Sequence, residues 1–154
     1  MAHPQLGEPA PDFTLPSDHG EINLSSLKGH PVVLYFYPKD DTSGCTKEAI
    51  AFSRLKPEFD GIGVRVIGLS PDSAQKHGKF RAKHGLTIDL AADETRGVLE
   101  AYGVWVEKSL YGRKYMGVER TTFLIDAEGR VARVWNKVKV DGHAEAVLEA
   151  ARAL

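Results

Sequence analysis

The chain has 154 residues, of which 42% are hydrophobic and 27% charged, a composition typical of one globular domain with a sizeable core. Its formal net charge of −1 at pH 7 gives no electrostatic reason to expect binding to nucleic acid or to an anionic membrane. We therefore expect a single domain over residues 1–154 that acts on small molecules.

The N-terminal region predicts a surface arm followed by a β-hairpin. Residues 1–8 lack a basic segment followed by an apolar one, and no apolar run reaches the length of a membrane span, so we expect a cytoplasmic protein without a membrane partner. Three prolines within residues 3–11 favour an extended arm. Residues 12–15 and 21–24 alternate between apolar and polar side chains around a turn at 17–20, which is typical of a hairpin.

The most informative stretch begins with a continuous apolar run at residues 32–37. This run is rich in β-branched and aromatic side chains and predicts a strand buried on both faces. Pro38 ends the strand, residues 40–43 favour a turn and a helix N-cap, and apolar side chains then recur at helical spacing. Cys45 is therefore predicted in the first turn of a helix that starts near residue 43.

A cysteine at a helix start is placed for nucleophilic chemistry. Unpaired backbone N–H groups and the positive end of the helix dipole favour a thiolate, which is the reactive form, whereas a free thiol is only about 3% ionised at pH 7. An exposed helix end contributes only about 0.3–1 kcal/mol, so a second cation or donor is needed. The alternative is that Cys45 is a small buried hydrophobe, but its neighbours are Gly, Thr, Ser and Lys rather than apolar residues.

Cys45 is the only cysteine of the chain. A single cysteine excludes an intrachain disulfide, a CxxC redox pair and a multi-cysteine zinc site, and it fits a reducing compartment. Redox chemistry at Cys45 would consequently require an external partner.

The remainder of the chain alternates strands and helices. We predict that the first helix stops or bends near Pro57 and is followed by a strand at 64–69. A second helix then runs from 70–73 to His84, anchored by Phe80 and stopped by Gly85, and leads to a strand at 86–91 and a short helix from 93. The rest of the chain predicts an aromatic loop or hairpin at 103–118, an antiparallel strand pair at 120–125 and 131–135, and an amphipathic helix from 141. This order is that of an α/β, thioredoxin-like fold, with a central mixed sheet flanked by helices and preceded by the N-terminal hairpin. Fold alone does not determine function.

The pattern Pro38-x-x-x-Thr42-x-x-Cys45 resembles the active-site signature of the peroxiredoxins. The amino-acid sequence from Phe36 to Thr46 is similar to that of the peroxiredoxin Q subfamily, also called bacterioferritin comigratory protein. The resemblance extends over segments 10–13, 68–72, 102–105 and 120–126. It implies a peroxiredoxin-type thioredoxin fold and a thiol-dependent peroxidase, which reduces hydrogen peroxide and organic hydroperoxides through a cysteine sulfenic acid, serves antioxidant defence and redox homeostasis, and needs no metal or organic cofactor.

The same resemblance assigns roles to three residues around Cys45. Arg120 would supply the missing cation. Without the resemblance, the alternative interpretation is an arginine at a strand end, exposed to solvent. Thr42 would hydrogen-bond the thiolate and a peroxide oxygen, which is compatible with its alternative role as a helix N-cap. Pro38 would shield the sulfur, and its alternative role is only to end the strand.

The chain departs from the subfamily pattern at the resolving cysteine. The two positions that often carry it hold Ile50 and, in the following helix, Arg81. This predicts a one-cysteine enzyme, natural or with its resolving cysteine replaced, whose sulfenic acid is reduced by thioredoxin, glutaredoxin or a small thiol. The subfamily resemblance also favours a monomer.

Other features give weaker signals. The six histidines show no zinc-ligand spacing with Cys45 and are interpreted as solvated or structural. Lys108, Arg113 and Lys114 predict a solvated loop face, with partner binding as the alternative. Two other functional hypotheses stay open from the sequence, namely a sensor in which oxidation of Cys45 changes a partner surface, and a thiol-transfer enzyme.

Overall fold

A computed structural model describes residues 3–154. Residues 1 and 2, which belong to the N-terminal segment 1–8 considered above, lie outside the described residues. Within the described range the strands are β1 (Thr14–Ser17), β2 (Gly20–Asn23), β3 (Val32–Phe36), β4 (Arg65–Ser70), β5 (Asp89–Ala92), β6 (Trp105–Leu110), β7 (Arg113–Val118), β8 (Thr121–Ile125) and β9 (Val131–Trp135). The helices are α1 (Ser43–Gly61), α2 (Ala74–His84), α3 (Gly97–Ala101) and α4 (His143–Arg152).

Seven of these strands form one mixed sheet, in the order β2-β1-β5-β4-β3-β8-β9. β3 pairs parallel with β4 and antiparallel with β8, and β1 and β2 form the predicted N-terminal hairpin at one edge. The mixed central sheet with flanking helices confirms the predicted thioredoxin-like arrangement. The carboxyl end of β3 therefore lies beside the start of β8, and α1 begins just beyond that edge.

β3 is a continuous apolar strand because both faces of the sheet are covered. Val33 and Tyr35 pack into a cluster that includes Phe52 of α1 and Val147 of α4, whereas the alternate residues of β3 pack into a second cluster on the opposite face, with Tyr102. All five residues of the strand are buried. Such two-sided burial fixes the position of the loop that follows β3.

Of the two outcomes predicted for the first helix near Pro57, a stop is wrong, because α1 continues through the proline to Gly61. A proline inside a helix leaves the carbonyl four residues earlier without its usual N–H donor. That carbonyl belongs to Ser53, and the Thr87 hydroxyl donates to it at 3.2 Å. Phe52 and Phe59, on either side of the proline, are both buried, so tertiary packing and this hydrogen bond maintain the helix.

The structure also decides between the two interpretations of residues 103–118, which form a β-hairpin. Its tip is a two-residue turn at Tyr111 and Gly112, both with positive φ, as the twist of a tight hairpin requires. β5 begins at Asp89 rather than at the predicted residue 86, because the Leu86 N–H still bonds the Arg81 carbonyl at the end of α2. Among residues 3–154 we find no helix with the length and apolar character of a membrane span.

Candidate active site

The site is built around the start of α1, where Cys45 is the third residue of the helix. Thr42 has an extended backbone and occupies the N-cap position, and the first intrahelical bond runs from the Thr46 N–H to the Thr42 carbonyl at 2.8 Å. The N–H groups of Ser43, Gly44 and Cys45 precede that bond and point out of the helix end. Cys45 itself is 1% exposed. The predicted position of Cys45 in the first helical turn is therefore confirmed.

Arg120 contacts the sulfur directly. The pairing of Phe36 with Thr121 sets the residue before β8 at the level of the loop after β3. From there the Arg120 Nη2 donates to Cys45 Sγ at 3.2 Å. Burial opposes the charge of this side chain, but the Glu48 carboxylate and the Cys45 sulfur outweigh it and raise the pKa of Arg120. The arginine is thus a permanent cation at the sulfur and not a solvated strand end.

Glu48 is a member of the site that the sequence reasoning missed. Its Oε1 accepts from Arg120 Nη1 at 2.6 Å, and its side chain is 1% exposed. Burial raises the pKa of Glu48 from the ordinary 4.5 to about 7, against the opposing effect of Arg120. The sequence did contain a signal, because Cys45, Glu48, Ala49 and Phe52 are spaced as one inward helix face, and a carboxylate on such a face needs a buried partner.

Thr42 and Pro38 flank the sulfur in sequence, but the Thr42 hydroxyl points away from the helix. It donates to the Lys39 carbonyl at 2.9 Å and makes no side-chain cap bond to α1, so the predicted capping bond is wrong. Within residues 3–154, Arg120 makes the one side-chain hydrogen bond to Cys45 Sγ. The predicted hydrogen bond from the Thr42 hydroxyl to the sulfur is therefore not formed in this structure. Pro38 follows the buried Tyr37 and is half-buried.

Comparison with known proteins identifies the family. Residues 6–134 match the AhpC/TSA family. The chain is 49% identical over 146 residues to peroxiredoxin Bcp of Bacillus subtilis, covering 94% of this chain and 93% of that protein. It belongs to the AhpC/TSA family. As a peroxiredoxin of the Bcp or PrxQ type, it is a thiol-dependent peroxidase, and its single cysteine agrees with the one-cysteine variant predicted.

Two solved structures support the same assignment. The Xanthomonas campestris bacterioferritin comigratory protein, described for its alkyl peroxide reduction activity, superposes with a TM-score of 0.90 at 42% identity over 99% of this chain and 98% of that one. A yeast mitochondrial one-cysteine peroxiredoxin, described for thiol resolution through glutathione and thioredoxin systems, gives a TM-score of 0.80 at 27% identity over 97% of this chain and 75% of that one. The thioredoxin-like peroxiredoxin fold is confirmed.

A buried polar network fixes the peroxiredoxin loop between β3 and α1. Asp40 accepts from the Tyr37 hydroxyl at 2.6 Å and contacts His77 Nδ1 of α2 at 2.7 Å. Its own N–H donates to Asp72 at 2.8 Å. His77 is fully buried, so it fits the structural role predicted for the histidines as a group. Within residues 3–154, no group of three or more His, Cys, Asp or Glu side chains is arranged to hold a metal ion.

The two positions considered for a resolving cysteine have different environments. Ile50 lies on the exposed side of α1. Arg81 donates through Nε to Asp18 at 2.5 Å and through Nη1 to the Leu86 carbonyl at 2.9 Å. In this peroxiredoxin, Arg81 therefore attaches α2 to the turn of the N-terminal hairpin.

Glu48 makes the stability of the protein depend on pH. Between pH 4.5 and about 7 the folded protein holds a proton that the unfolded chain has released, so the free energy of unfolding falls as the pH rises through this window. The shift in pKa corresponds to a loss on the order of 3 kcal/mol. We expect Glu48→Gln to remove this contribution, so that the stability of the wild type relative to the variant decreases by about that amount from pH 4.5 to pH 8.

Chemical denaturation of both proteins across that pH range measures the difference. Glu149→Gln is the matched control, since the Glu149 side chain is 82% exposed and the substitution should give no such trend. A wild-type-minus-variant difference that stays constant with pH would show that Glu48 does not titrate in this window.

Proposed function

We propose that Cys45 is the peroxidatic residue and that Arg120, Thr42 and Pro38 form the rest of its catalytic site. The observation that carries this proposal is the hydrogen bond of 3.2 Å from Arg120 Nη2 to Cys45 Sγ at the open start of α1. A fixed guanidinium and a set of backbone N–H groups both favour a thiolate over a thiol. The same groups are pre-aligned for charge that moves from sulfur to oxygen during the reaction.

The reaction oxidises the sulfur by two electrons. The Cys45 thiolate attacks the nearer oxygen of a hydroperoxide, an S–O bond forms while the O–O bond breaks, and the products are a sulfenic acid and a hydroxide or alkoxide. The leaving oxygen takes a proton from solvent and departs as water or alcohol. Arg120 and the N–H groups of the first turn stabilise the developing negative charge, while Pro38 limits access of water to the sulfur.

Thr42 contributes as a hydrogen-bond acceptor for the substrate. Its hydroxyl proton is directed to the Lys39 carbonyl, which leaves the lone pairs of the oxygen available. The O–H of a bound hydroperoxide is the complementary donor. The Thr42 side chain therefore orients the peroxide, while only the backbone of Thr42 takes part in the helix start.

Hydrogen peroxide and alkyl hydroperoxides are the proposed substrates, and an external thiol is the proposed reductant. The similarity to the Xanthomonas protein supports alkyl peroxides, and the similarity to the yeast protein supports reduction through glutathione or thioredoxin. One thiol forms a mixed disulfide with the sulfenic acid and releases water, and a second thiol then releases Cys45. We further propose that residues 1–154 act as one AhpC/TSA-type domain, a monomer in the cytoplasm, in antioxidant defence and redox homeostasis.

Stopped-flow oxidation of the reduced protein tests the proposal. Hydrogen peroxide and an organic hydroperoxide are each mixed with the protein, and the product at Cys45 is trapped with a sulfenic-acid reagent and identified by mass. We expect rapid formation of one sulfenic acid per chain with both oxidants. Oxidation no faster than that of a free thiol would contradict the assembled site and would favour a sensor or binding role for Cys45.

A further inference from the structure

The β6–β7 hairpin begins and ends beside the proposed site. β7 ends at Val118, two residues before Arg120, and the Glu119 N–H bonds the Val104 carbonyl at the base of the hairpin. Six residue pairs hold the two strands in register. At about 3.4 Å per residue, a strand of this length extends roughly 20 Å. The hairpin is therefore a ribbon that starts at Arg120 and reaches away from it.

The register assigns each side chain to one of two faces, because directly paired residues of an antiparallel ribbon share a face. Lys108 pairs with Tyr115, and Leu110 pairs with Arg113. These four residues, here called the cationic hairpin face, combine two exposed apolar side chains with two cations and no carboxylate. Leu110 is 56% exposed and Tyr115 is 47% exposed. By contrast, the opposite face contains Glu107, whose carboxylate forms a salt bridge of 3.7 Å with Lys114.

Lys108 connects this face to the reacting sulfur. A Cβ at Gly117 would lie only 3.3 Å from Lys108 Cδ, so the lysine stem lies over the ribbon toward its base. Burial lowers the pKa of Lys108, the charge of Arg120 lowers it further, and the Glu119 carboxylate and the Cys45 sulfur act in the opposite direction. The Lys108 stem therefore lies against Gly117, three residues before Arg120, so the face adjoins the segment that carries Arg120.

We propose that the cationic hairpin face docks an acidic protein thiol reductant. The proposal rests on the proposed function and names the partner that restores Cys45. A projecting ribbon with exposed apolar and aromatic side chains suits a protein surface, whereas small ligands bind in concave sites. A second copy of the chain would bring like charges together across a symmetric contact, and this disfavours self-association through the face.

The docked reductant completes the redox cycle. Its thiolate attacks the sulfenic acid sulfur of Cys45, forms a mixed disulfide and displaces hydroxide, which leaves as water. A second thiol of the same reductant then attacks the reductant's sulfur in the mixed disulfide, and the bond from that sulfur to Cys45 breaks. Cys45 is released as a thiolate, and the reductant departs as an internal disulfide.

The test compares a protein reductant with a small one. Turnover of hydrogen peroxide is measured with a thioredoxin that is negatively charged at pH 7 and, separately, with dithiothreitol. We expect Arg113→Glu and Leu110→Ser each to raise the KM for thioredoxin by about tenfold, which corresponds to the loss of one favourable docking contact. Turnover with dithiothreitol and the single-turnover oxidation of Cys45 should stay unchanged, because neither residue contacts the sulfur.

Two control variants match the changes elsewhere on the surface. Arg152→Glu changes a half-exposed cation on α4, and Ile62→Ser changes a 39% exposed apolar residue after α1. Neither should alter the KM for thioredoxin. An equal effect of Arg152→Glu would indicate general charge attraction and would overturn the proposal.

The remaining outcomes separate the docking proposal from the function on which it rests. Turnover with dithiothreitol but not with thioredoxin, or an unchanged KM in both hairpin variants, would overturn the docking proposal alone. A dimer that sedimentation detects in the wild type but not in Leu110→Ser would assign the face to a second copy instead. Absence of peroxide turnover with either reductant would overturn the proposed function itself.

Discussion

Replacement of Cys45 by serine should abolish peroxide turnover. A serine hydroxyl is not ionised near neutral pH and is a far weaker nucleophile than a thiolate toward the O–O bond. Cys45 is also the only sulfur of the chain that can form a sulfenic acid. We therefore expect no consumption of hydrogen peroxide above the rate in buffer containing thiol, measured by a continuous peroxide assay.

The fold of the serine variant should be preserved, because serine has nearly the size of cysteine and Arg120 can still donate to its oxygen. Circular dichroism and a denaturation curve provide this control. Peroxide consumption that persists in a folded Cys45→Ser protein would exclude the sulfur mechanism.

Replacement of Arg120 by methionine should lower the second-order rate constant for oxidation of Cys45 by about 10²–10³-fold, the usual effect of removing one donor aimed at developing charge. The variant loses the donor that lies 3.2 Å from the sulfur and the only cation shown to contact it within residues 3–154. It also leaves Glu48 buried without its partner. Stopped-flow fluorescence with hydrogen peroxide measures the rate constant directly.

A double variant separates the two consequences of losing Arg120. Arg120→Met combined with Glu48→Gln removes the buried charge as well as the cation, and it should recover stability without recovering the rate. Arg54→Met is the matched control, since Arg54 is an exposed arginine on the same helix as Cys45. Recovery of the rate in the double variant would mean that Arg120 serves only to neutralise Glu48.

The sequence alone determined the parts of this protein that depend on local order. The apolar run at 32–37 is buried on both faces as predicted, and the turn formers after it place Cys45 in the first turn of α1. Gly85 adopts the left-handed conformation that ends α2. In each case neighbouring residues specify the conformation through backbone preference or periodicity, so the pattern can be read without knowledge of distant contacts.

The tertiary structure decided whatever depends on residues far apart in the chain. Pro57 remains within a helix because Thr87 bonds the carbonyl that it leaves free. Arg120 reaches a sulfur 75 positions earlier because β8 pairs with β3. Glu48 shares that arginine, because the face of α1 on which it lies is buried. Strand pairing and burial are set by the whole fold, so no local pattern could specify these contacts or the raised pKa of Glu48.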